Sequence, residues 1–230
     1  MAALAYTDIQ RNVRTILDYN KVSVALDGMD EFAALDIDTM IKDSVSPALM
    51  QLMMMAPLEI VEQKVETAAV NPNPKGSSLA PVEMQLPEDF LRFVSCKLPS
   101  WKYPVTELAA MGSKEHLRQY GEVEGLKATA NNPIAVMDYS EAAGKKKLVL
   151  FNATGQDTQA TCNYVGMPTD DGSNVELSSR LNLPLYYIVA SLVCEILKDT
   201  QKSQYLMQTA RSLLTTAEGA MQQSIQANIQ

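Results

Sequence analysis

Pro184-Leu-Tyr-Tyr-Ile-Val-Ala-Ser-Leu-Val-Cys-Glu-Ile-Leu197 is the most apolar and most regular stretch of the chain, and its reading decides the fold. Leu185, Ile188, Val189, Leu192, Val193 and Ile196 recur at the three-and-four spacing of an α-helix with a wide apolar face. Pro184 suits the first turn, where its missing N–H costs nothing. A polar break follows, Lys198-Asp-Thr-Gln-Lys-Ser-Gln204, and then a second periodic set, Leu206, Ala210, Leu213, Leu214 and Ala217. Asp199 or Thr200 can cap that second helix, so Leu181 to Ala217 reads as two helices joined by a short turn or kink. Burying the first helix contributes on the order of 10–15 kcal/mol gross, at ~1.5–3 kcal/mol per large apolar side chain, before the entropy of ordering is subtracted. The rest of the chain is expected to pack against this pair or hang from it.

The 230 residues are 47% hydrophobic and 20% charged, a globular composition long enough for one large or two small domains. Nineteen basic against 27 acidic residues leave a net charge of −8, which argues against a general electrostatic grip on nucleic acid. No run of eighteen apolar residues is present to span a bilayer, and Met1-Ala-Ala-Leu-Ala-Tyr-Thr-Asp-Ile-Gln-Arg11 lacks a signal-peptide pattern, so a cytoplasmic site of synthesis and assembly is expected. Cys96, Cys162 and Cys194 are widely spaced and odd in number, which favours free buried thiols over a disulfide framework or a thiolate metal site.

Outward from the terminal helix pair, Thr7 reads as the N-cap of a first helix with Ile9, Val13, Ile16 and Leu17 on one face. Asp27-Gly28 suggests a turn, and Asp36 or Asp38 the cap of a second helix carrying Ile37, Met40, Ile41, Val45, Leu49, Leu52 and Met53. Pro47 should kink or restart that helix. Leu49-Met-Gln-Leu-Met-Met-Met-Ala56 is apolar nearly all round, which implies burial on more than one side. Residues 71–81, rich in Asn, Pro, Gly and Ser, read as a loop or linker. Beyond it the pattern turns to strands: 82–86, 90–98, 101–105, a hairpin of 134–139 with 146–151, and 158–165, with one or two helical turns over 113–120. The expected fold is therefore α+β, a helical bundle from the N- and C-terminal segments (1–70 and 181–218) with an inserted β-rich module (82–180), closed by a Gln-rich flexible tail over 219–230.

A search for chemistry returns little. His116 is the only histidine, so a histidine metal cluster or relay pair is excluded. A cysteine hydrolase built from Cys96 or Cys162 with His116 is the enzymatic alternative, against an ordinary surface role for His116. No glycine loop of phosphate-binding form is present. Asp27-Gly-Met-Asp-Glu-Phe-Ala-Ala-Leu-Asp-Ile-Asp38 fails the ligand spacing of a calcium loop, and Asp170-Asp-Gly-Ser-Asn174 reads as a turn. Glu88-Asp89 and Glu122 with Glu124 show no acid–base partner by spacing. Lys145-Lys-Lys147 points either to a solvated strand edge or to contact with nucleic acid or an acidic protein surface, and Met53-Met-Met55 either to helix packing or to an adaptable docking surface. Catalytic, cofactor and metal residues are thus none, and a non-enzymatic protein is expected.

The order of these pieces carries a resemblance. The run into Met55-Ala-Pro57, Leu86-Pro-Glu-Asp-Phe-Leu-Arg92 and the closing Leu183–Leu197 and Ser203-Gln-Tyr-Leu-Met-Gln-Thr-Ala210 together resemble the head-to-tail adaptor (connector, or tail-tubular) proteins of tailed bacteriophages, short-tailed and crAss-like ones in particular. The resemblance implies a structural virion protein of the phage neck, assembled in the host bacterial cytoplasm. It implies a homo-oligomeric ring, usually of twelve copies, between the portal protein and the next tail or ring protein. Genome DNA would pass through the lumen without sequence-specific binding, and neither membrane nor cofactor is involved. Another tail-completion or capsid-associated structural protein is the alternative.

Overall fold

The computed structural model describes residues 2–17, 31–71, 81–140 and 145–227, and the chain divides into two units, Met1–Glu62 with Met167–Gln230, and Gln63–Gly166. In chain order the elements are β1 (Ala2–Ala5), α1 (Tyr6–Leu17), α2 (Glu31–Met55), β2 (Lys64–Asn71), β3 (Val82–Gln85), β4 (Phe90–Lys97), α3 (Lys114–Arg118), β5 (Ile134–Ser140), β6 (Lys145–Phe151), β7 (Gln159–Gly166), β8 (Asn174–Leu177), α4 (Asn182–Ile196) and α5 (Thr200–Ala227).

In the first unit, α4 lies at the centre and packs against α1, α2 and α5. Leu185, Ile188, Val189 and Val193 are wholly buried, facing Ile9 and Val13 of α1, Leu49 and Leu52 of α2, and Leu206 and Ala210 of α5 in one apolar interior. The helix ends where Lys198 takes a left-handed conformation (φ 62) and the Asp199 N–H donates to the Cys194 carbonyl at 2.9 Å. Asp199 then caps α5, its carboxylate accepting from the Lys202 N–H at 3.1 Å. Polar groups also tie the pair: the buried Ser191 hydroxyl donates to the Ser203 carbonyl at 2.9 Å, and the buried Ser203 hydroxyl to Oε1 of the exposed Glu195 at 3.1 Å. Helix α2 runs continuously through Pro47, giving up one backbone bond, and stops before Pro57. Arg14 clasps Asp38 with two bonds of 2.8 and 2.6 Å, joining α1 to α2. Strands β1 and β8 form a small antiparallel pair beside this core, where Tyr6 donates its hydroxyl to both oxygens of Asp170.

The second unit is a six-stranded antiparallel sheet in the order β4-β7-β2-β3-β6-β5. It is nearly closed into a barrel, because one segment bridges both of its edges. Val105 exchanges two backbone bonds with Cys96 of β4 (2.8 and 2.9 Å), and four residues on, the Ala109 N–H donates to the Ala135 carbonyl of β5 at 2.9 Å. Met84, Leu98, Trp101, Leu148 and Leu150 fill the interior, and the Trp101 indole N–H donates to the Asn152 carbonyl at 3.1 Å. Asp157, buried beneath, accepts from the backbone N–H and hydroxyl of both Ser100 and Thr154 at 2.6–3.0 Å.

This architecture overturns the expected helical bundle with an inserted β module. The chain is mixed α/β, with eight strands against five helices among the described residues, and the barrel-like sheet is its largest assembly of strands. Three strands have no counterpart in the sequence reading: β1, β2 and β8. Lys64–Asn71, placed with the helices, is β2, in the middle of the sheet between β7 and β3. Its exposed positions carry Val65 and its half-buried ones Glu66, an inverted polarity that hides the alternation a strand normally shows. Strand β1 is built from alanine and leucine, which favour helices, and exists through pairing with β8 some 170 residues away. Thr7 lies inside α1 and caps nothing. Residues 101–105 supply a single bridge rather than a strand. Helix α5 continues through Gly219 to Ala227, where a tail was expected. The turn at Asp27-Gly28, the central part of the 71–81 loop and the tip of the 140–145 hairpin lie outside the described residues.

Candidate interaction surfaces

Charge divides unevenly between the units. Residues 1–62 and 167–230 carry eight basic and sixteen acidic side chains, net −8, whereas residues 63–166 carry eleven of each, net zero. The whole surplus of negative charge therefore belongs to the helical unit.

That unit also presents apolar side chains outward. On α2, Leu49, Leu52 and Met53 are buried, yet Met50 and Met54, one turn apart, are 52% and 50% exposed and continue a line with exposed Pro47. Met55 is half-buried and lines a hollow of about 360 Å³ with Pro57, Arg211, Leu214 and Thr215. The methionine triplet is thus divided: Met53 packs inside, as helix packing required, and Met54 faces out. Ile196 and Leu197 at the end of α4 and Tyr205 on α5 are exposed as well.

In the β unit several exposed apolar residues gather in the segment that follows the bridging strap, with Val65, Tyr103 and Tyr139 exposed elsewhere. Ser113 caps the short α3, accepting from the His116 N–H at 3.3 Å, and His116 Nδ1 accepts from the Gly112 N–H at 3.0 Å. His116, Tyr120 and Phe151 meet edge to face at 5.4–6.0 Å, which fastens the segment to the sheet over a second small cluster of Ala128, Val136 and Phe151. Met111, Leu117, Val123 and Leu126 remain half or more exposed around that anchor. No protein-family model matches this chain. No curated protein compared with it matches either.

The residues singled out for chemistry do not converge. His116 meets the rings of Tyr120 and Phe151, the Ser113 hydroxyl and the Gly112 backbone, and its environment thus differs from a cysteine–histidine pair. Cys96 and Cys162 face each other across β4 and β7, both buried; the neighbouring Cys162 side chain together with burial holds the Cys96 thiol above its usual range, while Cys162 is drawn the opposite way, lowered by Cys96 against its burial. Cys194 is buried in α4, and burial raises its thiol too. Among the described residues, no three or more His, Cys, Asp or Glu side chains gather as metal ligands.

The lysine triplet is not at a sheet edge, since β6 lies between β3 and β5. Lys147 reaches Glu83 on one neighbour (2.8 Å) and Asp138 on the other (3.3 Å), a pairing that raises its pKa. Lys146 donates to the Phe90 carbonyl at 3.2 Å and lies 5.8 Å from that ring's centre. Asp89 accepts from Lys64 at 2.5 Å and from the Tyr164 hydroxyl at 3.1 Å; burial and that bond push Tyr164 up to about 12. Glu88 belongs to the turn into β4, Glu124 pairs with Lys127 at 2.8 Å, and Glu122 is exposed. Asp170 and Asp171 accept backbone bonds from Gly172, Ser173 and Asn174, so this acidic run is a turn. A concavity of about 460 Å³ opens on the outer face of β4 and β7, floored by Ser95 and Asn163, whose side chains bond at 2.9 Å. Two features had no sequence signal: the exposed cluster around α3, whose apolar residues keep no regular period, and the cysteine pairing, which depends on strand register.

Proposed function

We propose that this protein is a structural, non-enzymatic subunit of a bacteriophage neck, an adaptor ring of identical copies between the portal protein and the next tail component. The observation that carries the reading is α2, which is apolar on two sides at once: Leu49, Leu52 and Met53 face the helical core, while Pro47, Met50 and Met54 face outward. A helix in a lone chain hides its apolar side and wets the other; a helix in a closed ring needs one face for its own core and one for its neighbour. The resemblance of the helix order and of Leu86-Pro-Glu-Asp-Phe-Leu-Arg92 to phage adaptors supports the same reading. So does the charge, because a helical unit with net −8 will not hold passing DNA. Absence of a membrane role is in keeping with the helices, none of which among the described residues is long and apolar enough to cross a bilayer.

Native mass spectrometry of the purified chain, alone and with a portal protein, tests the proposal. Closed rings of one fixed copy number are expected, and they should be lost in Met50→Gln/Met54→Gln while the circular dichroism of the chain is unchanged. A chain that stays monomeric in both settings overturns the adaptor. Rings that persist undiminished in the double variant overturn the role given to α2.

A further inference from the structure

We propose that Cys96 and Cys162 form a modification site, a dithiol in the β unit that a small peroxide oxidises to a cross-strand disulfide. The two residues are direct partners in the β4–β7 register. Cys96 spends both of its backbone groups on Val105, at 2.8 and 2.9 Å, so its N–H and C=O turn away from β7. On the β7 side the cysteines are therefore a non-hydrogen-bonded pair, in which Cα atoms stand ~4.5 Å apart and side chains lean together. That spacing lies within the ~4.4–6.8 Å that a disulfide spans without moving the backbone. Both side chains are in the core, 1% and 0% exposed, on the same inward face of the paired strands. Cys194 belongs to the helical unit and is not part of the pair.

The reagent is small for a reason of access. Both thiols face the barrel core, and strand β4 is a sheet edge whose far side meets the short Val105 bridge, so a reagent that reaches Cys96 through local opening of that edge has to be small. In the first step a thiolate sulfur attacks one peroxide oxygen, the O–O bond breaks, and hydroxide leaves and takes up the thiol's proton as water. The sulfenic acid so formed is attacked by the second sulfur; its S–O bond breaks, and hydroxide departs with the second thiol's proton as another water. Two thiols and one hydrogen peroxide thus give one disulfide and two waters, with two electrons passing from sulfur to oxygen.

The test uses the full chain, reduced, freed of reductant, treated with hydrogen peroxide, then denatured, alkylated and mapped by peptide mass spectrometry. A linked peptide holding Cys96 and Cys162 is expected, two hydrogens lighter than its parts, with alkylation confined to Cys194. The unfolding midpoint followed by Trp101 fluorescence should rise by about 5 °C or more, fall back on reduction with dithiothreitol, and show no rise in Cys162→Ala. Because closed sheets admit reagents slowly, a second arm refolds the chain from denaturant with oxidised glutathione present and maps it in the same way. Three alkylated cysteines in both arms, a sulfinic acid without a linked peptide, or a link that includes Cys194 overturns the proposal.

Discussion

The helical unit and the β unit solve the same problem, a buried core in 126 and 104 residues, with different treatment of charged groups. The helical unit buries only hydroxyls among its described polar side chains, Ser44, Ser191 and Ser203, the last reaching the exposed Glu195, and leaves apolar side chains such as Met50 and Met54 on its outside. Among its described residues the β unit buries one charged group, Asp157, with four donors, and pairs others at half-buried positions: Asp89 with Lys64 and Tyr164, Lys147 with two carboxylates. Its charges balance, whereas the helical unit holds the entire net −8. The difference teaches where each unit is vulnerable: helices to lost apolar burial, the sheet to lost hydrogen-bond partners as well.

The largest effects should come from cavities, one in each core. Leu148→Ala in β6 and Ile188→Ala in α4 remove wholly buried side chains, each at a cost of about 2–5 kcal/mol. Trp101, the single tryptophan, lies in the β core, and most helical residues lie in the other unit, so fluorescence and far-ultraviolet circular dichroism report on different halves. Leu148→Ala should move the fluorescence transition further and Ile188→Ala the dichroism transition further. One coincident transition displaced equally by both variants would break the comparison.

Next is Asp157→Ala, which strands donors from Ser100 and Thr154 and should cost about 2–3 kcal/mol. Burial alone would raise the Asp157 carboxyl, but these bonds outweigh it and hold the group below its ordinary range. Its contribution is therefore complete above the ordinary aspartate value of about 3.9 and disappears as pH falls through the lower folded value. The gap in unfolding midpoint between the native chain and the variant should narrow on acidification from pH 7 to below that value; a gap independent of pH would refute the assignment.

Gly166→Ala should be milder, about 1 kcal/mol. Its new methyl would lie 2.6 Å from Asp89 Oδ2 and 2.9 Å from Lys64 Cδ, ends of side chains that can shift at the expense of their ion pair. Adding Asp89→Ala should remove most of that penalty, and equal penalties with and without Asp89 would place the strain elsewhere. Smallest is Ser203→Ala, about 1 kcal/mol or less in urea unfolding followed by dichroism, since one inner bond of a helix pair is lost while apolar packing persists.

Much of the local structure was legible. The apolar period of 184–197 is helix α4, Asp199 caps α5, and the 134–139/146–151 hairpin is β5 with β6. Helix continuity through Pro47 was not legible, because packing of Val45, Leu49 and Leu52 outweighs the one bond that proline forfeits. Strand β2 was missed because half-buried Glu66 and exposed Val65 reverse the usual polarity of alternate positions. The role of the lysine triplet was misread for a related reason: a charged run looks like an edge until Glu83 and Asp138 on flanking strands are seen to neutralise it.

What the residues by themselves determined are features with a short reach along the chain: helices from the three-and-four period, caps and turns from Asp and Gly, the hairpin from two runs of alternating character. What only the tertiary structure decided are features of strand register and closure: β1 on β8, β2 between β7 and β3, the strap from Val105 to Ala109 across both sheet edges, and Cys96 opposite Cys162. The physical reason is that periodicity is written in neighbouring side chains, whereas a register is chosen by which distant strand best completes a shared core, and a slip of one residue would turn every side chain to the other face.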